Sequence, residues 1–205
     1  MVDNNAREKT ILDDPKMSLY GKPKEGAKGT PMLGFSVYQG HPAIIVFPND
    51  PSDTNSRPIR AGMDQKNWPS FVQAIHNVAE HYENGSQVRI ENYRGQPQKR
   101  FLDSVTIVGK SEEGVVYIAL HQENRPTTKF ELLPSPYMAF VDNQGNQIDK
   151  AKVSRMFAIG YMKLVDAYVS LYMKDTYVPF QQQQQQQKQS SGQGSGNDSM
   201  DDLPF

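Results

Sequence analysis

Hydrophobic positions along the chain switch between two periods. From residue 32 they follow strand logic. Met32, Leu33, Phe35, Val37 and Tyr38 lead into a turn at Gln39-Gly40, and Ala43 to Phe47 form a β-branched and aromatic run ended by Pro48. Residues 49–56 are rich in Pro, Asp and Asn and read as a loop, after which Ile59 marks a short edge strand. The period then lengthens. Trp68, Phe71, Val72, Ile75, Val78, Ala79 and Tyr82 recur every three or four residues, which predicts a helix over 68–83 with Asn67 before it, Pro69 in its first turn and Asn84-Gly85 beyond its end. Trp68 lies on that stripe, which assigns it to the core rather than to base stacking. Strand periodicity returns over 87–93, 100–108, 115–121 and 128–133, with a further segment at 137–141. In the first of these, Val88 and Ile90 share one face and Arg89, Glu91 and Tyr93 the other. A second, long helix over 149–175 starts at Asp149. Its stripe runs from Val153 to Tyr172, and Ile159, Val169 and Leu171 lie beside it. That predicts burial on two sides, against the strands and against a partner or a second copy of the chain, as in a homodimer.

The ends of the chain differ from this middle. Residues 1–30 mix Lys16, Lys22, Lys24 and Lys28 with Gly21, Pro23, Gly26 and Gly29, a composition poor for helix and strand alike. They are expected to form a flexible basic arm. Residues 181–205 begin with seven glutamines and continue with Ser, Gly and Gln. They hold too little apolar surface to offset the entropy of ordering, so a disordered tail is expected. Between the ends, strands interrupted by one helix over 31–142 fit a small Greek-key barrel better than an α/β sheet, in which strands and helices would alternate. The overall expectation is mainly β, with the long helix packed on the barrel.

Composition narrows the function. The chain has 205 residues and a net charge of −1. The tail carries Lys188 against Asp198, Asp201 and Asp202, so the first 180 residues sum to +1. Affinity for a polyanion must therefore come from charge arranged in a groove rather than from net charge. Cysteine is absent, which removes disulfides, thiolate metal sites and a cysteine nucleophile. The four histidines have no metal-site spacing, and no phosphate-binding loop, dinucleotide fingerprint or nucleophile elbow occurs. Neither a cofactor nor an enzymatic activity is expected. No apolar run is long enough for a membrane span, and residues 2–9 lack the apolar core of a signal peptide, so a cytoplasmic protein is expected.

The strongest candidate chemistry is the hairpin over 88–101. It sets Arg89, Arg94, Lys99 and Arg100 against Glu91 and interleaves Tyr93 and Phe101. Binding of unpaired nucleic acid needs this mixture, because cations track phosphates while aromatic faces stack on bases of any identity. Arg57, Arg60, Phe35 and Tyr38 are second-rank candidates on neighbouring strands, and Lys22, Lys24 and Lys28 could close over phosphates from the arm.

The last five residues, Asp201, Asp202, Leu203, Pro204 and Phe205, place carboxylates before an apolar residue, a proline and a final phenylalanine. This tip, behind its Gln/Gly/Ser tether, closely resembles that of bacterial single-stranded DNA-binding proteins. It departs in having two adjacent aspartates where three are frequent and Leu203 where isoleucine is usual. The 30 residues before the first strand and the added C-terminal helix make the chain more similar to the phage-encoded members than to the bacterial ones. The resemblance implies the oligonucleotide-binding (OB) fold, a partly open five-stranded Greek-key barrel. It further implies sequence-independent binding of single-stranded DNA in replication, recombination and repair, in the host bacterial cytoplasm for a phage protein. The tip would recruit a polymerase, helicase or primase, with Phe205 in an apolar pocket and the carboxylates on a basic rim. No motif in the body transfers, so the groove residues named above rest on their own chemistry. The other reading is an interaction adaptor, an OB-like barrel that binds protein and has no physiological DNA binding.

Overall fold

The computed structural model describes residues 10–55, 57–96 and 98–177. The tail over 181–205, its acidic tip and residues 1–9 of the arm lie outside the described residues. The chain is mainly β, with two four-stranded antiparallel sheets and two α-helices. The first sheet takes β1 (Leu19–Tyr20), β2 (Met32–Tyr38), β3 (His41–Phe47) and β4 (Ile59–Gly62), paired in that order. The second takes β5 (Gln87–Gln96), β6 (Lys99–Lys110), β7 (Val116–His121) and β8 (Thr128–Glu131), again in chain order. Between the sheets comes α1 (Trp68–His81), and after them α2 (Lys150–Asp175).

Each sheet is thus a meander of consecutive strands, eight strands in two sheets where a single five-stranded Greek key was expected. The physical reason is local. Short turns such as Gln39-Gly40 favour pairing of sequence neighbours, and α1 separates the two sets of four.

One hydrophobic core draws on both sheets and both helices. Leu33, Phe35, Ile44, Val46, Ile59 and Ala61 enter it from the first sheet, and Val108, Ile118, Leu120 and Phe130 from the second. Trp68, Phe71 and Ile75 come from α1, and Ala158, Met162, Val165 and Val169 from α2. At its centre the Phe35 ring meets Trp68 edge-on at 5.9 Å and Tyr161 at 6.3 Å, while Trp68 meets Phe71 at 5.4 Å. Trp68 is fully buried, and its indole Nε1 donates to Asp166 Oδ1 of α2 at 2.7 Å. Elsewhere the buried Ser154 hydroxyl donates to the Leu132 carbonyl and accepts from the Val116 amide, which ties α2 to the second sheet.

The helix ends follow their sequence signals in part. Asp149 caps α2 by accepting from the Ala151 and Lys152 amides, as expected. Asn67 precedes α1 but makes no side-chain cap. The far end of α1 is closed instead by Lys110 at the end of β6, whose ammonium donates to the carbonyls of Ala79 and Tyr82.

Two expectations fail here. The arm over 1–30 is not flexible throughout. Residues 11–13 and 15–17 form 3-10 turns, β1 pairs with β2, and Leu12 and Leu19 are buried in the core. Two isolated leucines supply apolar anchors that no periodicity announces. The segment 137–141 is not a strand: it forms one isolated bridge between Val141 and Gln147, with Tyr137 and Met138 exposed. Its apolar residues find no second strand to cover them, and Asp142 turns the chain by accepting from the amides of Gln144 and Asn146.

The Trp68–Asp166 bond gives a direct test. Asp166→Ala leaves the buried indole N–H without its acceptor, which should destabilise the fold by about 1–3 kcal/mol. Urea unfolding followed by fluorescence of this single tryptophan measures the loss; an unchanged midpoint would remove the bond from the account of stability.

Candidate nucleic-acid interface

The second sheet commits one face to the core; its other face is closed over its middle by buried Val105, Ala119 and Tyr117 and exposed along the β5 and β8 edges. Register fixes the outward set. Gln87, Gly109, Tyr117 and Glu131 form one row across the four strands, and Arg89, Ile107, Ala119 and Lys129 the next. Glu91, Val105 and His121 form a third. With strands about 4.8 Å apart, Arg89 and Lys129 stand at opposite ends of a row about 14 Å long.

Beyond the third row the hairpin runs free of β7, and a bulge changes its parity. Asn92 pairs with Ser104, but Tyr93 pairs with Leu102, so Asp103 is the extra residue. Alternation from Ser104, Thr106 and Val108 would have sent Leu102 and Arg100 to the core side. The bulge sends them outward instead, opposite Tyr93 and Gly95. Arg94, paired with Phe101, and Lys99, paired with Gln96, lie on the reverse side. The Arg94 guanidinium takes the bulged Asp103, with Nε 2.9 Å from Oδ1.

On the outward side Tyr93 is 47 % exposed, and the Arg100 guanidinium carbon lies 4.8 Å from its ring centroid. The Tyr93 hydroxyl donates to Glu91 Oε2 at 2.6 Å, and Arg89 Nη2 lies 3.8 Å from Glu91 Oε1. Glu91 therefore orients the ring and the cation together. Its hydrogen bond is the main reason the Tyr93 phenol is held above its ordinary pKa. About 20 Å back along the strands from this platform, Tyr117 lies across Gly109, where a Cβ would come within 2.5 Å of its ring. Its hydroxyl donates to Gln87 Oε1, and Lys129 Nζ sits 4.2 Å from its ring centroid. Tyr117 is 6 % exposed, so it fills the sheet surface and carries Lys129 above it.

Lys129 also lines a groove of about 390 Å³ between β8 and the segment after β1, together with Lys22, Lys24, Tyr20 and Thr128. A second groove of about 540 Å³ shares Pro48 and Asp50 with the first and is lined by Lys28 and Arg57. The wall between them is pinned by two ion pairs. Lys24 Nζ lies 2.6 Å from Asp50 Oδ2, and Arg125 Nη2 lies 2.6 Å from Asp53 Oδ2 while also donating to the carbonyls of Asn55 and Arg57. Lys24, helped by the Ser52 hydroxyl and amide, lowers the Asp50 pKa to about 2. Arg125 lowers that of Asp53.

The structure brings together Arg89, Tyr93 and Arg100 on the outward face, and Lys22 and Lys24 beside Lys129. Lys28 and Arg57 follow in the second groove. Arg94, Lys99 and Phe101 are exposed on the other side of the hairpin tip. Phe35 is a correction: it is 3 % exposed at the centre of the core, because β2 turns Leu33, Phe35 and Val37 inward together. Tyr38 and Arg60 stand on the outward face of the first sheet, Tyr38 at the β2–β3 turn and Arg60 donating to Ser36 Oγ. The tip residues Asp201, Asp202, Leu203, Pro204 and Phe205 lie outside the described residues.

The sequence reading missed Lys129, Arg125 and the fully exposed Tyr137. Lys129 had a signal, since Phe130 turned inward forces its neighbour outward; a lone arginine in a turn has none. Among the described residues no cluster of three or more His, Asp or Glu is placed to hold a metal ion, and no helix is long and apolar enough to cross a membrane. Comparison with protein-family models, curated proteins and solved structures finds no match to this chain.

The Asp50 pair predicts a pH dependence. A carboxyl held near 2 when folded, against 3.8 when free, contributes stability that is fully present above the free value and is lost as pH falls toward 2. Asp50→Asn should therefore lower the urea midpoint at pH 6 and flatten its fall between pH 4 and about 2, relative to the unchanged chain. Parallel curves for the two proteins over that window would show that the pair does not hold the loop.

Proposed function

We propose that this chain binds single-stranded DNA, without regard to sequence, along the outward face of the second sheet and into the lysine groove beside β8. The observation that carries the proposal is the Tyr93–Arg100 pair: an exposed ring with a guanidinium 4.8 Å from its centroid, on a sheet face whose two edges expose Arg89 and Lys129. A base stacks on the aromatic or guanidinium plane, and its flanking phosphates meet Arg89, Lys129 and Lys22. Duplex DNA offers no free base face, so it gains only the phosphate contacts.

In this proposal the two sheets stand where the partly open OB barrel stands in the resembled family, with loops and arm as the rim of the binding face. The acidic tip Asp201-Asp202-Leu203-Pro204-Phe205 serves as the docking segment for a replication protein. Its sequence, not its conformation, supports that role.

Titration with oligo-dT, oligo-U and a duplex of equal length tests the binding face. Tyr93→Ala should cost about 1–3 kcal/mol, or about five- to 150-fold in affinity, on single strands. Arg94→Ala with Lys99→Ala should cost less than Arg89→Ala with Arg100→Ala. With Lys22, Arg89, Arg100 and Lys129 each neutralising one phosphate, log affinity should fall with log salt at a slope of about −3. No oligonucleotide binding at low salt would overturn the proposal in favour of the adaptor reading. Equal or tighter binding of oligo-U would reassign the substrate to RNA.

Deleting residues 201–205 tests the tip. DNA affinity should be unchanged or modestly higher while capture of the host replication proteins is lost. A chain that loses DNA binding on this deletion would contradict the division of roles.

A further inference from the structure

The outward side of α2 is apolar where solvent should favour polar residues. Met156, Leu164 and Leu171 are 45 %, 46 % and 49 % exposed. Exposed Gly160 and Ala167 lie between them, and a Cβ built at Gly160 meets nothing within 4 Å. The opposite side of the helix, through Ala158, Met162, Val165 and Val169, is fully buried in the core. The outward stripe therefore has no use within the chain among the described residues.

We propose that this stripe pairs antiparallel with α2 of a second copy, about a two-fold axis at residues 163 and 164. The pattern is self-complementary, as an isologous interface requires. In that arrangement Met156 faces Leu171 of the second copy, Gly160 faces Ala167, and the two Leu164 side chains lie together at the axis. The small residues let the backbones approach, and the Lys163 stems cover the two leucines while their ammonium groups reach water. The same axis sets Lys152 at the start of the helix against Asp175 at its end, so each limit of the contact closes on an opposite charge. Both are exposed, and neither side chain makes an ion pair among the described residues. A stripe matched only to a different partner has no reason to read the same in both directions.

The contact is small. A 26-residue helix is about 39 Å long and its face about 10 Å wide, or roughly 800 Å² for the two copies together. That is below the roughly 1,200 Å² of standard specific interfaces, so the dimer is a reversible one, set by protein concentration. Because α2 packs on the core side of the second sheet, the pairing leaves both outward faces open. It does not depend on the nucleic-acid reading, and it is tested without DNA.

Sedimentation of the full chain from about 1 to about 200 μM should show a monomer–dimer equilibrium. Leu164→Lys, which adds two like charges to the Lys163 pair at the axis, should leave a monomer with unchanged circular dichroism and tryptophan fluorescence. Lys152→Glu and Asp175→Lys should each weaken the dimer by about three- to ten-fold. The double variant should recover it, and so should an equimolar mixture of the two single variants, since each then offers the charge the other lacks. Neither change harms the helix, because each places a charge favoured by the helix dipole at that end. A monomer at every concentration, a dimer indifferent to Leu164→Lys, or charge variants that fail to rescue one another would each overturn the proposal.

Discussion

The Trp68 indole holds this structure to one arrangement. Its ring fills the space between Phe35 of β2 and Phe71 of α1, and its N–H is satisfied only by reaching Asp166 of α2. An indole donor buried without a partner would cost a large share of a domain's net stability, so the three elements are positioned jointly. With both helices seated on the inner faces of the two sheets, each sheet has one face committed to the core. The outward surface of the second sheet follows from that, and so does the outward stripe of α2. The proposed DNA face and the proposed dimer face are two of the sides that a shared core leaves over.

A chain with almost no net charge can still present cations, provided its acids are spent elsewhere. Asp50 is taken by Lys24, Asp53 by Arg125, Asp103 by Arg94, and Glu131 by Lys150. Three of these pairs fasten loops or the hairpin tip rather than contribute a field. Arg100 and Lys129 are disposed differently, each over a tyrosine ring. A guanidinium or ammonium on an aromatic face keeps its donors for a phosphate, whereas one clasped by a carboxylate must first exchange partners. Glu91 is the one acid at the platform, and it serves to aim Tyr93.

The groove and the platform also differ in how firmly they are built. The platform stands on β5 and β6, whose other face is fixed by buried Ser104, Thr106 and Val108. The groove wall is a loop held by Lys24 and Arg125, and Lys24 is itself a cation that a phosphate would attract. In the proposed function the hairpin supplies the stacking surface, and the groove wall supplies Lys24, whose ion pair with Asp50 a phosphate can exchange.

The amino-acid sequence by itself determined the elements that depend on near neighbours. The stripe from Trp68 to Ala79, the Asp149 cap, the strand alternation and the Tyr93 and Arg89 pairing on one side of β5 are all set by residues within a few positions of one another. The core position of Trp68 was legible for the same reason. Only the tertiary structure decided which strands share a sheet, that Leu12 and Leu19 anchor the arm, and that Phe35 belongs to the interior. It also decided the side on which Arg100 emerges, since the bulge at Asp103 reverses the parity that alternation alone would assign. Lys129 joins Arg89 because two strands lie between them, a neighbourhood made by register rather than by sequence distance. Side-chain period is a local property of the backbone, whereas the meeting of distant cations depends on pairings whose closure the whole core must stabilise.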